Sequence, residues 1–169
     1  MKVTKTELDG VLLIEPPTIF EDFRGEYVEI YNRDLYRQAG ITQEFLQDDI
    51  SVSTRHVLRG FHGDQTTWKL VSCLHGKFYA VVLNWDPQSP QYRRWQGFTL
   101  SDKNRLQLLI PPKFGNSHLV LSESAIFHYK QTTQYERASQ FTVLWNDPTV
   151  NAWWPIQNPI VSRRDAGVG

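Results

Sequence analysis

An all-β sandwich or barrel is the fold class this chain predicts, on three observations. Aromatic residues make up 13% of it. Nine prolines and ten glycines are scattered between short apolar runs, as punctuation rather than as linkers. Only one segment carries a convincing helical pattern. Many short strands separated by turn signals are the mark of a two-sheet or barrel architecture. At 169 residues the chain reads as one domain, 1–169, long enough to build a core without disulfides or a structural metal.

Strands are expected over about 11–15, 26–31, 44–53, 68–74, 77–84, 94–100, 106–110, 117–121, 125–131 and 140–144. The first, Val11-Leu12-Leu13-Ile14, is closed by Pro16-Pro17 and is too short for a membrane span or a signal sequence. A short helix near Arg33–Ala39 ends at Gly40. Leu74-His75-Gly76-Lys77 reads as a hairpin turn, and Asp86-Pro87-Gln88-Ser89-Pro90 as a loop that no strand interior accepts. Period-two alternation then sorts the side chains. Lys69, Val71 and Cys73 share one face of their strand, and Ala125, Phe127 and Tyr129 share one face of theirs.

Composition excludes several function classes. Lysine plus arginine and aspartate plus glutamate balance at 18 each, so no broad field points to nucleic acid or membrane. The single cysteine, Cys73, has no internal partner and suits a reducing cytoplasm. None of the five histidines lies two residues from another, so no compact metal motif is present, and no metal ligand is assigned. Glycine-rich phosphate loops and nucleophile elbows are missing too. What remains is cofactor-free acid–base chemistry.

The residues that suggest such chemistry are Val57-Leu58-Arg59-Gly60-Phe61-His62 and the following Lys69. His62, read as standing just past an Arg59-Gly60 turn, is a candidate general base, since an imidazole can both take and give a proton. Lys69, in an otherwise apolar strand, is a cation with no evident structural reason to be there. A base and a fixed cation in one pocket are what proton abstraction beside a carbonyl needs. The plainer reading is a surface histidine and a strand-end lysine, and Tyr129 alone reads equally well as a core tyrosine.

Further segments carry a family resemblance. They include Glu21-Asp22-Phe23-Arg24-Gly25-Glu26-Tyr27-Val28-Glu29, Phe45-Leu46-Gln47-Asp48-Asp49-Ile50-Ser51, Phe127-His128-Tyr129-Lys130, Leu144-Trp145-Asn146-Asp147-Pro148 and Trp154-Pro155. Together with the His62 and Lys69 tracts, and in this order, they resemble the dTDP-4-dehydrorhamnose 3,5-epimerase family over nearly the whole length. The resemblance implies a cupin-like jelly roll and a cofactor-independent epimerase acting on a nucleotide-linked 4-keto-6-deoxy sugar. It also implies a homodimer that exchanges N-terminal strands. By likeness, His62 is the base, Asp165 orients it, Lys69 steadies the enolate oxygen, and Tyr129 returns a proton from the opposite face. Arg59 matches a sugar or diphosphate clamp. Arg24 and Glu29 match nucleotide contacts made from the partner subunit. Gln47, Asp48 and Asp49 match a Gln-Asp-Asn stretch, and Asn116, Tyr135, Gln140 and Arg164 fall at substrate-facing positions.

Departures from the family pattern surround the substrate. The loop His62-Gly63-Asp64-Gln65-Thr66-Thr67-Trp68 is shorter than usual. Asn116 stands where a histidine is usual, Asp49 where an asparagine is, and Gln140 where a glutamate is common. They raise the expectation of a different nucleotide, such as GDP or CDP, a different hexose or heptose, or inversion at one carbon only. Three rival readings stand beside epimerisation: a nucleotide-sugar 3,4-ketoisomerase of the same fold, a non-catalytic sugar-binding jelly roll using some of the six tryptophans, and a metal-dependent cupin.

Overall fold

The computed structural model describes residues 1–16 and 18–168; Pro17 and Gly169 lie outside the described residues. Its strands are β1 (Lys2–Lys5), β2 (Leu12–Glu15), β3 (Thr18–Asp22), β4 (Gly25–Glu29), β5 (Gln47–Thr54), β6 (Leu58–Gly63) and β7 (Lys69–His75). The chain continues through β8 (Lys77–Asn84), β9 (Trp95–Ser101), β10 (Gln107–Ile110), β11 (Phe114–Val120), β12 (Ser124–Gln131) and β13 (Phe141–Val143), with one α-helix, α1 (Arg33–Gln38). Every ladder between these strands is antiparallel. A six-stranded sheet runs β1-β2-β10-β7-β12-β5 and a five-stranded sheet runs β13-β6-β11-β8-β9. They face one another as a cupin-like jelly roll. The β3–β4 hairpin forms a separate ribbon.

Alternation explains why both sheets hold together. Val71 and Cys73 of β7, Phe78, Ala80 and Val82 of β8, and Phe127 of β12 fill the space between the sheets. The intervening residues are buried as well, on the outer faces. Leu70 and Leu109 pack under Tyr36 of α1 and Ile41, while Val81 and Leu83 pack with Phe61, Val143 and Val150. The central strands are therefore apolar on both sides and read as unbroken hydrophobic runs. Helix α1 starts at Asn32, whose side chain accepts from the N–H groups of Asp34 and Leu35. It is held to the sheet by the Tyr36 hydroxyl, which bonds Gln107. Among the described residues no helix is long and apolar enough to cross a membrane.

Four differences from the sequence reading have identifiable physical causes. Strand β1 is a mostly exposed edge strand without an apolar signal, and β3 lies in an exposed hairpin. Strand β11 begins at Phe114, ahead of the expected 117, because Gly115 and Asn116 pair fully with β8. Most consequentially, Arg59-Gly60 is not a turn. It lies inside β6, where a glycine marks a bulge instead.

Candidate active site

The bulge in β6 builds the site. On β11, Asn116 and His118 are two residues apart, yet they pair with His62 and Arg59, which are three apart. The extra residue lets Arg59 and His62 face the same side, which strict alternation forbids. That side is the space between the sheets, where a cavity of about 250 Å³ opens to solvent.

His62 is held by a residue 103 positions away. Its Nε2 lies 2.7 Å from Asp165 Oδ1. Burial pushes the Asp165 carboxyl upward, but bonds from His62, the Gly60 N–H and the Ser162 hydroxyl hold it below the ordinary carboxylate range. An ionised carboxylate only accepts, so Nε2 carries a hydrogen, and whenever the imidazole is neutral the lone pair is on Nδ1. Gly60 makes the approach possible, because a Cβ there would stand 2.6 Å from Asp165 Oδ1 and 2.9 Å from its Cγ.

Lys69 opens β7 on the inward face and is only 8% exposed. Its Nζ donates to Asn116 Oδ1 at 3.3 Å and sits 5.9 Å from the Tyr129 ring centroid. Burial pulls its pKa down, opposed by the charge of Asp64. Tyr129, on β12, has its phenol pushed up to about 12 by burial and by Asp49, so it is a protonated donor near neutral pH. Between these groups lies His118, stacked on Phe127 with centroids 4.1 Å apart. Burial, with the charges of Arg59 and His62, pushes it down to about 3, so it is neutral.

These features make the cavity a place for acid–base chemistry on an anionic or polarised substrate. A carboxylate-oriented imidazole, a buried ammonium and a protonated phenol line one wall system, with Arg59 and Arg164 adding fixed positive charge. Against this geometry, residues 5–168 match the family model described as dTDP-4-dehydrorhamnose 3,5-epimerase. The chain belongs to the dTDP-4-dehydrorhamnose 3,5-epimerase family. It is 39% identical over 169 residues to the dTDP-4-dehydrorhamnose 3,5-epimerase of Shigella flexneri, covering 98% of this chain and 93% of that one. The enzyme of that name from Methanothermobacter thermautotrophicus is 35% identical, with 95% and 89% covered. A crystal structure of the Legionella pneumophila dTDP-6-deoxy-D-glucose-3,5-epimerase with dTDP-4-keto-L-rhamnose superposes with a TM-score of 0.92 at 36% identity, covering 98% of this chain and 90% of that one.

Within this epimerase-family cavity, the structure brings together most of the residues singled out from sequence. His62, Lys69 and Tyr129 line it, as do Arg59, Asn116, Tyr135, Gln140 and Arg164. Asp165 stands behind His62. Gln47 and Asp49 sit one layer back: Gln47 accepts from the Tyr135 N–H at 2.9 Å and donates to Asp49, which also receives Gln131. Asp48 points to the other face of β5 and pairs with Lys130. Arg24 lies at the tip of the β3–β4 hairpin beside Asp22, and Glu29 ends β4; neither reaches this cavity. Sequence reasoning passed over His118 and Ser51, which also line it. Alternation carried forward from Asn116 along β11 was the signal for His118.

Proposed function

We propose that this chain inverts carbon 3, carbon 5 or both of a dTDP-linked 4-keto-6-deoxy sugar, in the cytoplasm and without a cofactor. The observation that carries the reading is the His62–Asp165 contact of 2.7 Å at a cavity wall shared with buried Lys69. His62 Nδ1 takes the proton from the carbon beside the C4 ketone, and the C–H electron pair moves into the carbonyl to form an enolate. Lys69 balances the charge on that oxygen, where a buried cation acts in low dielectric. Tyr129 delivers its proton to the same carbon from the other face, which inverts the centre. Solvent then reprotonates the tyrosinate and removes the proton from His62, so the site returns to its starting state. Arg59 and Arg164 supply the positive charge a diphosphate calls for. The dTDP preference draws on the complex named for the Legionella relative.

The proposal includes a homodimer. The β3–β4 hairpin pairs with no other described strand, and it exposes Phe20, Phe23 and Tyr27. Strand β5 ends the six-stranded sheet with an open edge, which invites a further strand. A hairpin crossing to a second copy brings Arg24 and Glu29 within reach of that copy's substrate. Sedimentation of the protein as a monomer at catalytic concentration overturns this part.

The reaction is tested by incubating dTDP- and GDP-linked 4-keto-6-deoxyglucose with the protein in deuterium oxide. Deuterium at C3 and C5 with inversion is the expected result from the dTDP sugar, and label at one carbon defines a single-centre epimerase. A product with its carbonyl at C3 identifies a ketoisomerase instead. No label from the dTDP sugar refutes the proposed substrate.

A further inference from the structure

Behind the cavity wall lies a second buried carboxylate. Asp64, 6% exposed, follows β6 in the loop that leads to Lys69. Its two oxygens do different work. Oδ1 accepts from the N–H groups of Thr66 and Thr67 at 2.9 and 2.7 Å. Oδ2 accepts from Gln140 Nε2 at 2.8 Å, a contact across 76 residues. Two residues after Thr67 the chain enters β7 at Lys69.

We propose that Asp64 is a positioning residue of this site: one carboxylate oxygen fixes the turn that delivers Lys69, and the other fixes which end of the Gln140 amide meets the substrate. Ionised Asp64 offers only acceptors, so Gln140 turns its NH₂ toward Asp64 and leaves its carbonyl oxygen for the cavity. The lining itself contains no carboxylate: Arg59, Lys69 and Arg164 face the substrate, while Asp64 and Asp165 stand behind. Asp64 thus places negative charge near Lys69 without setting it against an anionic substrate or enolate. The protein holds this carboxylate ionised. Burial raises its pKa, yet the bonds from Thr66, Thr67 and Gln140 prevail and keep it below the usual range.

Lys69 is surrounded by few other charges of that sign. From β11 it meets the neutral Asn116 amide, with neutral His118 further along. From β12 it meets the Tyr129 ring and, in register, Gln131, which is bonded to Asp49 of β5. From β6 come His62 and Arg59, and from the C-terminal segment Arg164. Of the carboxylates, Asp64 is the one whose charge bears on Lys69.

The inference rests on the epimerase reading for its kinetic arm, and the test keeps the two apart. D64N retains an oxygen for Thr66 and Thr67 but presents an NH₂ to the Gln140 NH₂, so the amide must turn over. Q140E alone sets a carboxylate against Asp64. D64N/Q140E restores a single donor–acceptor bond with the charge moved to the other partner. Each single variant is expected to lower kcat for deuterium exchange about tenfold. The double variant restores the pair but moves the charge into the lining, so its loss is expected to be smaller than the product of the two single losses without returning to the parent rate, as coupled neighbours behave. Independently of turnover, the ¹⁵N-detected titration of Lys69 should move to lower pH in D64N and return in the double variant. Losses that simply add, with the Lys69 titration unmoved, overturn the proposal and leave Asp64 a loop residue. If the unaltered protein exchanges no label, the epimerase reading fails, and the Lys69 titrations still decide the role of Asp64.

Discussion

Adding one methyl group at Gly60 should disable the base without touching it. The Cβ of an alanine there would stand 2.6 Å from Asp165 Oδ1, whereas ordinary van der Waals contact begins at 3.4 Å. Asp165 must therefore retreat by about 0.8 Å, the difference between these two distances. The His62–Asp165 contact, now 2.7 Å, then stretches toward the limit of a hydrogen bond. His62 loses the partner that fixes its tautomer and supports its protonated form. Misplacement of a catalytic group on this scale costs on the order of 100-fold in rate. Overpacking of this kind destabilises by about 1–3 kcal/mol, a loss the fold is expected to survive. Deuterium exchange from the dTDP-linked keto sugar reads the rate, and thermal unfolding reads the stability. Gly60→Ala and Asp165→Asn should not be additive, since both break one contact. A Gly60→Ala protein with kcat within about threefold of the parent refutes the reasoning, because so small a change lies far below the misplacement cost.

The other predictions address single groups. His62→Asn should lose about 100- to 10,000-fold in turnover while dTDP binding by calorimetry stays unchanged; an active variant removes His62 as the base. Tyr129→Phe should still wash deuterium into the substrate but yield little inverted product, and loss of exchange together with inversion excludes a simple donor role. His118→Phe should flatten the acid side of the stability profile. In the folded chain His118 takes its proton only near pH 3, whereas its ordinary value is 6.5. Between those limits the unfolded state binds the extra proton, so stability falls as pH falls, by at most about 1.4 kcal/mol per pH unit. Asp165, its pKa also depressed, loses its contribution in the same direction, so the comparison is between the two slopes. Equal slopes for parent and variant between pH 4 and 6.5 refute this account.

How much was legible from the chain depended on whether the signal was local. The inward set Lys69, Val71, Cys73 and the set Ala125, Phe127, Tyr129 follow from period-two alternation alone, and all of them face the space between the sheets. Helix α1 was legible from its pattern and from Gly40, which takes a φ of 87° beyond the helix end. Strand β6 was misread because Gly60 carries a turn signal. Its actual use, giving Asp165 room and making a bulge, depends on a strand and a C-terminal segment far away in sequence. Arg24 and Glu29 carry a family resemblance, but no local cue places them at the cavity, and the structure leaves both away from it.

Side-chain direction, apolar runs and the chemical types available are properties of neighbouring residues, and the amino-acid sequence by itself determined them: an all-β fold, an inward lysine and tyrosine, and a histidine suited to proton transfer. Only the tertiary structure decided that Arg59 and His62 share a face, that Asp165 reaches His62, and that Asp64 rather than the cavity wall holds the charge beside Gln140. Those outcomes depend on inter-strand register and on contacts spanning 76 and 103 residues. A single extra residue in one strand of a ladder reverses which side chains face the core, and no periodicity along the chain records where the pairing places that insertion.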